Sequence, residues 1–155
     1  MNIAVTIVAA LAVAAPAVTL SGDKALVISA RQVQAQVAEA IPLAKEKGSS
    51  GGTLASYGNL ALKLSVRTAS GGAEIHAHYD DLMIVQQGSA TLITAGSLID
   101  PKPGANGETT GTGIKDGVTQ TIGVGDYVIV PAGVPHQLIV PPGTTYAALV
   151  AKVRE

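Results

Sequence analysis

From about residue 54 to the C-terminus, short apolar runs alternate with turn-forming residues, and this punctuation sets the limits on the fold. The chain has 155 residues with eighteen Gly and eight Pro, most of them lying between the runs. A helix needs an uninterrupted pattern of roughly 10–12 residues, whereas strands are complete in 4–8. Within one run Leu60, Leu62, Leu64 and Val66 alternate with Ala61, Lys63, Ser65 and Arg67, which is the period of a strand. The apolar set is expected to face a core, and Lys63 and Arg67 a solvated surface. Further strands are predicted at 73–79, 82–87, 90–95, 119–122, 127–130, 137–140 and 145–153. Gly88-Ser89 is read as a tight turn joining two of them. About eight short strands with such turns imply an all-β sandwich or small barrel. The chain contains neither Phe nor Trp, so the core must be built from Val, Leu, Ile and Ala.

One stretch departs from this pattern. Residues 29–47 carry Val33, Val37, Ala40, Ile41 and Ala44 at helical spacing, with Ser29 as N-cap. Pro42 is expected to kink the helix or end it early. Gly48-Ser49-Ser50-Gly51-Gly52 then reads as a flexible connector. Residues 97–117 are rich in Gly, Thr and Pro and lack apolar periodicity. Two readings stand for them, a lid or pocket wall and a plain surface excursion.

Residues 3–20 are almost wholly apolar. Ala15-Pro16-Ala17 supplies an A-x-A pattern, so residues 1–17 are read as a signal peptide cleaved after Ala17, although no Lys or Arg precedes the run. This places the mature protein in a secreted or periplasmic location with no stable membrane span. The alternatives are an uncleaved anchor and a buried element of a cytoplasmic protein. The division of the chain is then 1–17 signal peptide, 18–52 N-terminal strand, helix and connector, and 53–155 barrel.

Charge excludes some functions. The formal net charge is −1 and Lys and Arg are scattered, so no phosphate-binding surface for nucleic acid is expected. The four aromatic residues are all Tyr, too few to stack on single strands. Without cysteine there are no disulfides and no thiolate ligands.

All three histidines fall in two stretches, Gly71-Gly72-Ala73-Glu74-Ile75-His76-Ala77-His78-Tyr79-Asp80-Asp81 and Pro131-Ala132-Gly133-Val134-Pro135-His136. If the first is a strand throughout, His76 and His78 share a face. With Asp81 and with His136 from a second strand, they would make a donor set for a divalent transition metal: Mn, Fe, Ni, Cu or Zn. Glu74 shares that face by the same parity. It reads most simply as an exposed edge carboxylate, and otherwise as a general base at the rim. Glu108 is expected in solvent, with closure over a ligand as the alternative.

These two stretches resemble the paired motifs of the cupin superfamily. His76-Ala77-His78 supplies the H-x-H, and Asp81 is followed by six residues and Gly88. Gly125, five residues, Pro131-Ala132-Gly133 and His136 follow the second motif. Ser70 stands at the first motif's opening Gly, Asp81 replaces its Glu, and Val140 replaces the second motif's Asn. The resemblance implies a cupin-like antiparallel jelly-roll β-barrel, here with one short N-terminal helix, and a metal held by His76, His78 and His136, with Asp81 (Asp80 being its rival) as a fourth ligand or as the residue that holds a bound water or orients a histidine. It further implies a small-molecule ligand or substrate and, by analogy, a homodimer. Three functions are compatible with it: a metal-dependent enzyme (dioxygenase, isomerase, lyase or hydrolase), a non-catalytic binder of a sugar or metabolite, and a structural oligomer.

Overall fold

The helix is the first long element of the computed structural model, which describes residues 17–21 and 25–155. The signal-peptide run lies outside these residues except for its last position, Ala17. Helix α1 spans Ala30–Lys47. Ser29 caps it in a reciprocal box: its side-chain oxygen accepts from the Gln32 backbone N–H, and Gln32 Oε1 accepts from the Ser29 backbone N–H at 2.8 Å. Pro42 does not end the helix, which runs on to Lys47. The proline leaves the Ala38 carbonyl without its usual partner, but both residues are exposed and water can serve that oxygen. Further along, the helix is held from the sheet side. Ser50 Oγ donates to Ala40 O and Thr68 Oγ1 to Ala44 O, both at 2.6 Å.

Among the described residues fourteen strands accompany the helix: β1 Val18–Thr19, β2 Ser49–Tyr57, β3 Leu60–Arg67, β4 Ala73–His76, β5 Tyr79–Gln87, β6 Ser89–Thr94 and β7 Ser97–Ile99. The remainder are β8 Lys102–Pro103, β9 Glu108–Gly111, β10 Gly113–Lys115, β11 Val118–Gly123, β12 Tyr127–Val130, β13 His136–Ile139 and β14 Tyr146–Arg154. They form two six-stranded sheets, β1-β2-β3-β14-β5-β12 and β11-β6-β13-β4-β9-β8, with β7 and β10 as a separate pair. All pairings are antiparallel except β1 with β2. This is the all-β arrangement that the strand periodicity and turn spacing imply, and its antiparallel sheets are consistent with the jelly roll that the motif resemblance implies. Among the described residues no helix is long and apolar enough to cross a membrane.

The first sheet is covered on both faces. On its outer face Leu64, Val66 and Ala147 pack with Val33, Val37 and Ala44 of α1. On its inner face Met83, Val85, Tyr146 and Ala148 meet Leu92 and Ile122 of the second sheet, forming the interior core.

Several sequence expectations change here. Residues 49–52 are not a connector but the start of β2, paired along β3. Gly51 (φ +120°) explains the composition, since a Cβ there would lie 2.1 Å from the Leu64 carbonyl oxygen. Lys63 and Arg67 point into the space between the sheets rather than to solvent, because α1 covers the other face of β3. Gly88 makes a corner, not a hairpin, since β5 and β6 belong to different sheets. Its φ of +69° and the Thr145 carbonyl, 2.3 Å from where a Cβ would sit, reserve that position for glycine. Residues 97–117 contain β7 to β10, and β9 pairs along the whole of β4.

Candidate metal centre

The residues that face each other inside the fold are placed by strand register. On β4, Glu74 and His76 are two apart and share the inner face. On β13, His136 is the cross-strand partner of Glu74, which puts the two side chains side by side on that face. The chain reaches β13 through the turn Pro131-Ala132-Gly133-Val134-Pro135, and two hydrogen bonds pin that turn to the neighbouring strands. Gly133 N–H donates to His76 O at 2.9 Å, and Ala132 N–H donates to the Asp80 carboxylate at 2.8 Å.

Glu74, His76 and His136 each offer a ligand atom, and the three atoms lie within 4.8 Å of one another. His76 and His136 are buried, their ring centroids 5.1 Å apart and tilted by 58°. Glu74 Oε1 is 3.4 Å from His136 Nε2 and 3.8 Å from His76 Nε2. Each ring is fixed from behind. His136 Nδ1 is 3.1 Å from the Val134 carbonyl, and His76 Nδ1 contacts the Glu108 carboxylate. A carbonyl or carboxylate oxygen only accepts, so in both rings Nδ1 carries the hydrogen. In the neutral form of either ring the lone pair then sits on Nε2, the atom turned toward Glu74.

Burial raises the Glu74 carboxyl, but the hydrogen bond to His136, with the charges of His136, His76 and Lys152, outweighs it and holds the group at about 2. For His136 burial works downward, and the hydrogen bonds to Glu74 and to the Val134 carbonyl, with the Glu74 and Asp81 charges, raise it overall. A proton and a metal ion are therefore alternatives at His136 Nε2.

Asp81 lies beside this group. Its Oδ2 is 3.5 Å from His76 Nε2 and accepts a hydrogen bond from Lys152 Nζ at 3.2 Å. Lys152 Nζ also approaches Oδ1 to 2.9 Å as a charge contact without hydrogen-bond alignment. Asp81 and Lys152 are cross-strand partners on β5 and β14.

His78 stands apart. The sequence expectation that it shares a face with His76 assumed one strand through residue 79. Instead β4 ends at His76, Ala77 and His78 form a turn, and the His78 ring is exposed beside Gly107. Conversely, Glu74 is not a free edge carboxylate but a member of the converging group. Glu108 is not simply solvated either: β9 sets it opposite His76. Strand parity pointed to Glu74. Nothing local pointed to Glu108, which lies 32 residues from its partner.

The group opens onto a cavity of about 240 Å³ between the sheets. Its walls include Lys63, Arg67, Asp81 and Lys152, with Met83, Leu92, Leu138 and Val150 as apolar surface.

Solved structures with the same architecture include the cupin domain of Cnp3 from Schizosaccharomyces pombe. It matches with a TM-score of 0.51 at 10% identity, over 69% of this chain and 61% of that one. The chain has the cupin fold. Two further likenesses are of similar strength. The polyketide cyclase RemF from Streptomyces resistomycificus gives a TM-score of 0.51 and 22% identity, over 70% of this chain and 67% of that one. The Bacillus halodurans protein BH2720 gives 0.51 and 13%, over 74% and 76%. At these identities the likeness concerns the fold alone. No family model and no curated protein matches the chain.

Proposed function

We propose that this cupin is a metal-dependent protein in which Glu74, His76 and His136 hold a divalent transition metal and the adjoining cavity receives a small organic molecule, most simply a substrate. The observation that carries the reading is the fixing of both imidazoles through Nδ1, which leaves two Nε2 lone pairs and a carboxylate oxygen facing one point. Two histidines and one carboxylate form a donor set used by catalytic zinc and by mononuclear iron, and it leaves coordination positions open. A metal held there would supply Lewis-acid polarisation or a water made acidic enough to act as a nucleophile.

The chain's own contributions are separable from that chemistry. Glu108 and the Val134 carbonyl orient the two rings. Lys152 holds the Asp81 carboxylate close to His76, where it can take or return a proton within the cavity. Met83, Leu92 and Leu138 supply apolar wall that limits water in the cavity. His78 belongs to this proposal only as a surface residue of the neighbouring turn, and Asp81 as a neighbour of the metal rather than one of its three principal donors.

The test is elemental analysis of protein purified without a histidine tag, beside a His76→Ala/His136→Ala double variant. One equivalent of a transition metal, lost in the double variant, is expected. Protein that stays metal-free after reconstitution would move the reading to a non-catalytic binder.

We also propose export. The run at 3–20 and the Ala15-Pro16-Ala17 pattern support it, and cleavage after Ala17 would leave β1, which begins at Val18, intact. N-terminal sequencing of protein recovered outside the cytoplasm should start at Val18; a start at Met1 would refute it.

A further inference from the structure

We infer that the cavity takes a small organic anion, its oxyanion head seated between Arg67 and the Tyr146 hydroxyl and its body directed at Glu74, His76 and His136. The inference rests on the reading of this cavity as the site of a small molecule and adds the class of that molecule.

The first argument is the charge inside the fold. Two carboxylates and three basic side chains line the cavity. Lys152 is matched by Asp81, and Glu74 faces the two histidines. Lys63 and Arg67 make no ion pair among the described residues. A divalent cation at the histidines would add positive charge. With that cation in place the interior carries net positive charge in a chain whose formal net charge is −1. Between protein walls such a charge acts more strongly than on an open surface.

The second argument is independent. Tyr146 is completely buried, lines the same cavity, and its hydroxyl has no hydrogen-bond partner. Buried polar groups are nearly always paired, so a lone hydroxyl at a cavity wall signals a missing partner. Tyr146 and Arg67 are cross-strand neighbours on β14 and β3, so both reach into the same part of the cavity. A guanidinium and a phenol at neighbouring positions are together complementary to a carboxylate or phosphate. The guanidinium lies against Gly71, where a Cβ would come 2.8 Å from Arg67 Nη1.

Size and lining limit the rest of the ligand. The volume of about 240 Å³ is smaller than sites for drug-sized molecules, and Met83, Leu92, Leu138 and Val150 suit a short apolar body. A short-chain carboxylate fits these limits, and a small phosphate ester shares the same head chemistry.

The experiment is equilibrium dialysis of the full chain against butyrate, butyramide and inorganic phosphate, with metal content measured on the same samples. Butyrate is expected to bind, and butyramide at least about tenfold more weakly. Arg67→Gln should weaken butyrate by a similar factor while metal content stays the same. Tyr146→Phe should weaken it severalfold at unchanged melting temperature, because the hydroxyl has no internal partner to lose. Arg67-dependent phosphate binding tighter than that of butyrate would assign the head as a phosphate. Equal binding of acid and amide, butyrate affinity indifferent to Arg67, or no anion binding at millimolar concentration would each overturn the inference. Arg67-dependent binding to a protein that never takes up metal would instead overturn the metal reading and leave the anion seat standing. Metal uptake without anion preference would do the reverse.

Discussion

The two faces of β3 and β14 are built from alternate residues of the same strands, yet they solve opposite problems. The outer face presents Leu64, Val66 and Ala147 to α1 and contains no charge. The inner face presents Lys63, Ser65 and Arg67 from β3, and Tyr146, Ala148, Val150 and Lys152 from β14, to a cavity. The apolar face gains stability from burial in proportion to area removed from water. The charged face gains little in that way and requires that every buried ion find a partner. Charges kept on a covered face of a sheet, where apolar residues would stabilise the fold more simply, are best understood as serving a ligand.

The largest effects separate the two faces by what is lost. Lys152→Met leaves the buried Asp81 carboxylate without its cation, and stability should fall by about 3–5 kcal/mol. Adding Asp81→Asn should recover most of that loss, since the uncompensated charge is then gone. Leu64→Ala on the opposite face should cost about 2–5 kcal/mol by cavity formation, with no second-site charge change able to recover it. Urea denaturation of the four proteins measures both. If the double variant is no more stable than Lys152→Met, the inner face is held by packing and the contrast between the faces fails.

A middle-sized effect concerns the metal rather than the fold. Glu108→Gln keeps an oxygen that can accept from His76 Nδ1 but removes its charge. Replacing such a partner typically lowers metal affinity 10–100-fold. Metal-competition titration with a chelator should show this drop with little change in the denaturation midpoint, because Glu108 sits at the partly exposed edge of the site. Unchanged affinity would mean that Glu108 does not orient the ring.

How much of this was legible in the sequence follows from how local each feature is. The alternation at 60–67, the run at 127–130 and the Ser29 cap are set by neighbouring residues, and the structure has each of them. The alternation could not say which face is wet, because a second covering layer comes from α1, thirty residues upstream in the chain at Val33 and Val37. The metal-site strand was legible as a strand, but its end was not. The turn at Ala77-His78 contains no Gly or Pro to announce it, and parity carried two residues past the end of β4 moves His78 from the surface to the interior. Strands β7 to β10 were illegible because each has two to four residues, too few to show a period. With them went Glu108, whose role exists only through the register that sets β9 against β4.

The smallest predicted effect tests whether the outer face is as independent of the site as its composition suggests. Ser29 lies at the start of α1 and touches no residue of the cavity; its hydroxyl and backbone close the capping box with Gln32. Ser29→Ala removes the side-chain half of that box and should cost about 1 kcal/mol. The helix should remain in place, because Val33, Val37 and Ala44 hold it to β3 whether or not its first turn frays. Metal content and butyrate affinity should therefore match the unaltered protein while the midpoint of urea denaturation shifts down. If capping loss also weakens either ligand, strain passes from α1 through β3 to Arg67, and the two faces are coupled. The side chains at 63, 65 and 67 would then owe their positions to the helix on the other side of the strand. The alternation that separates them chemically would not separate them mechanically.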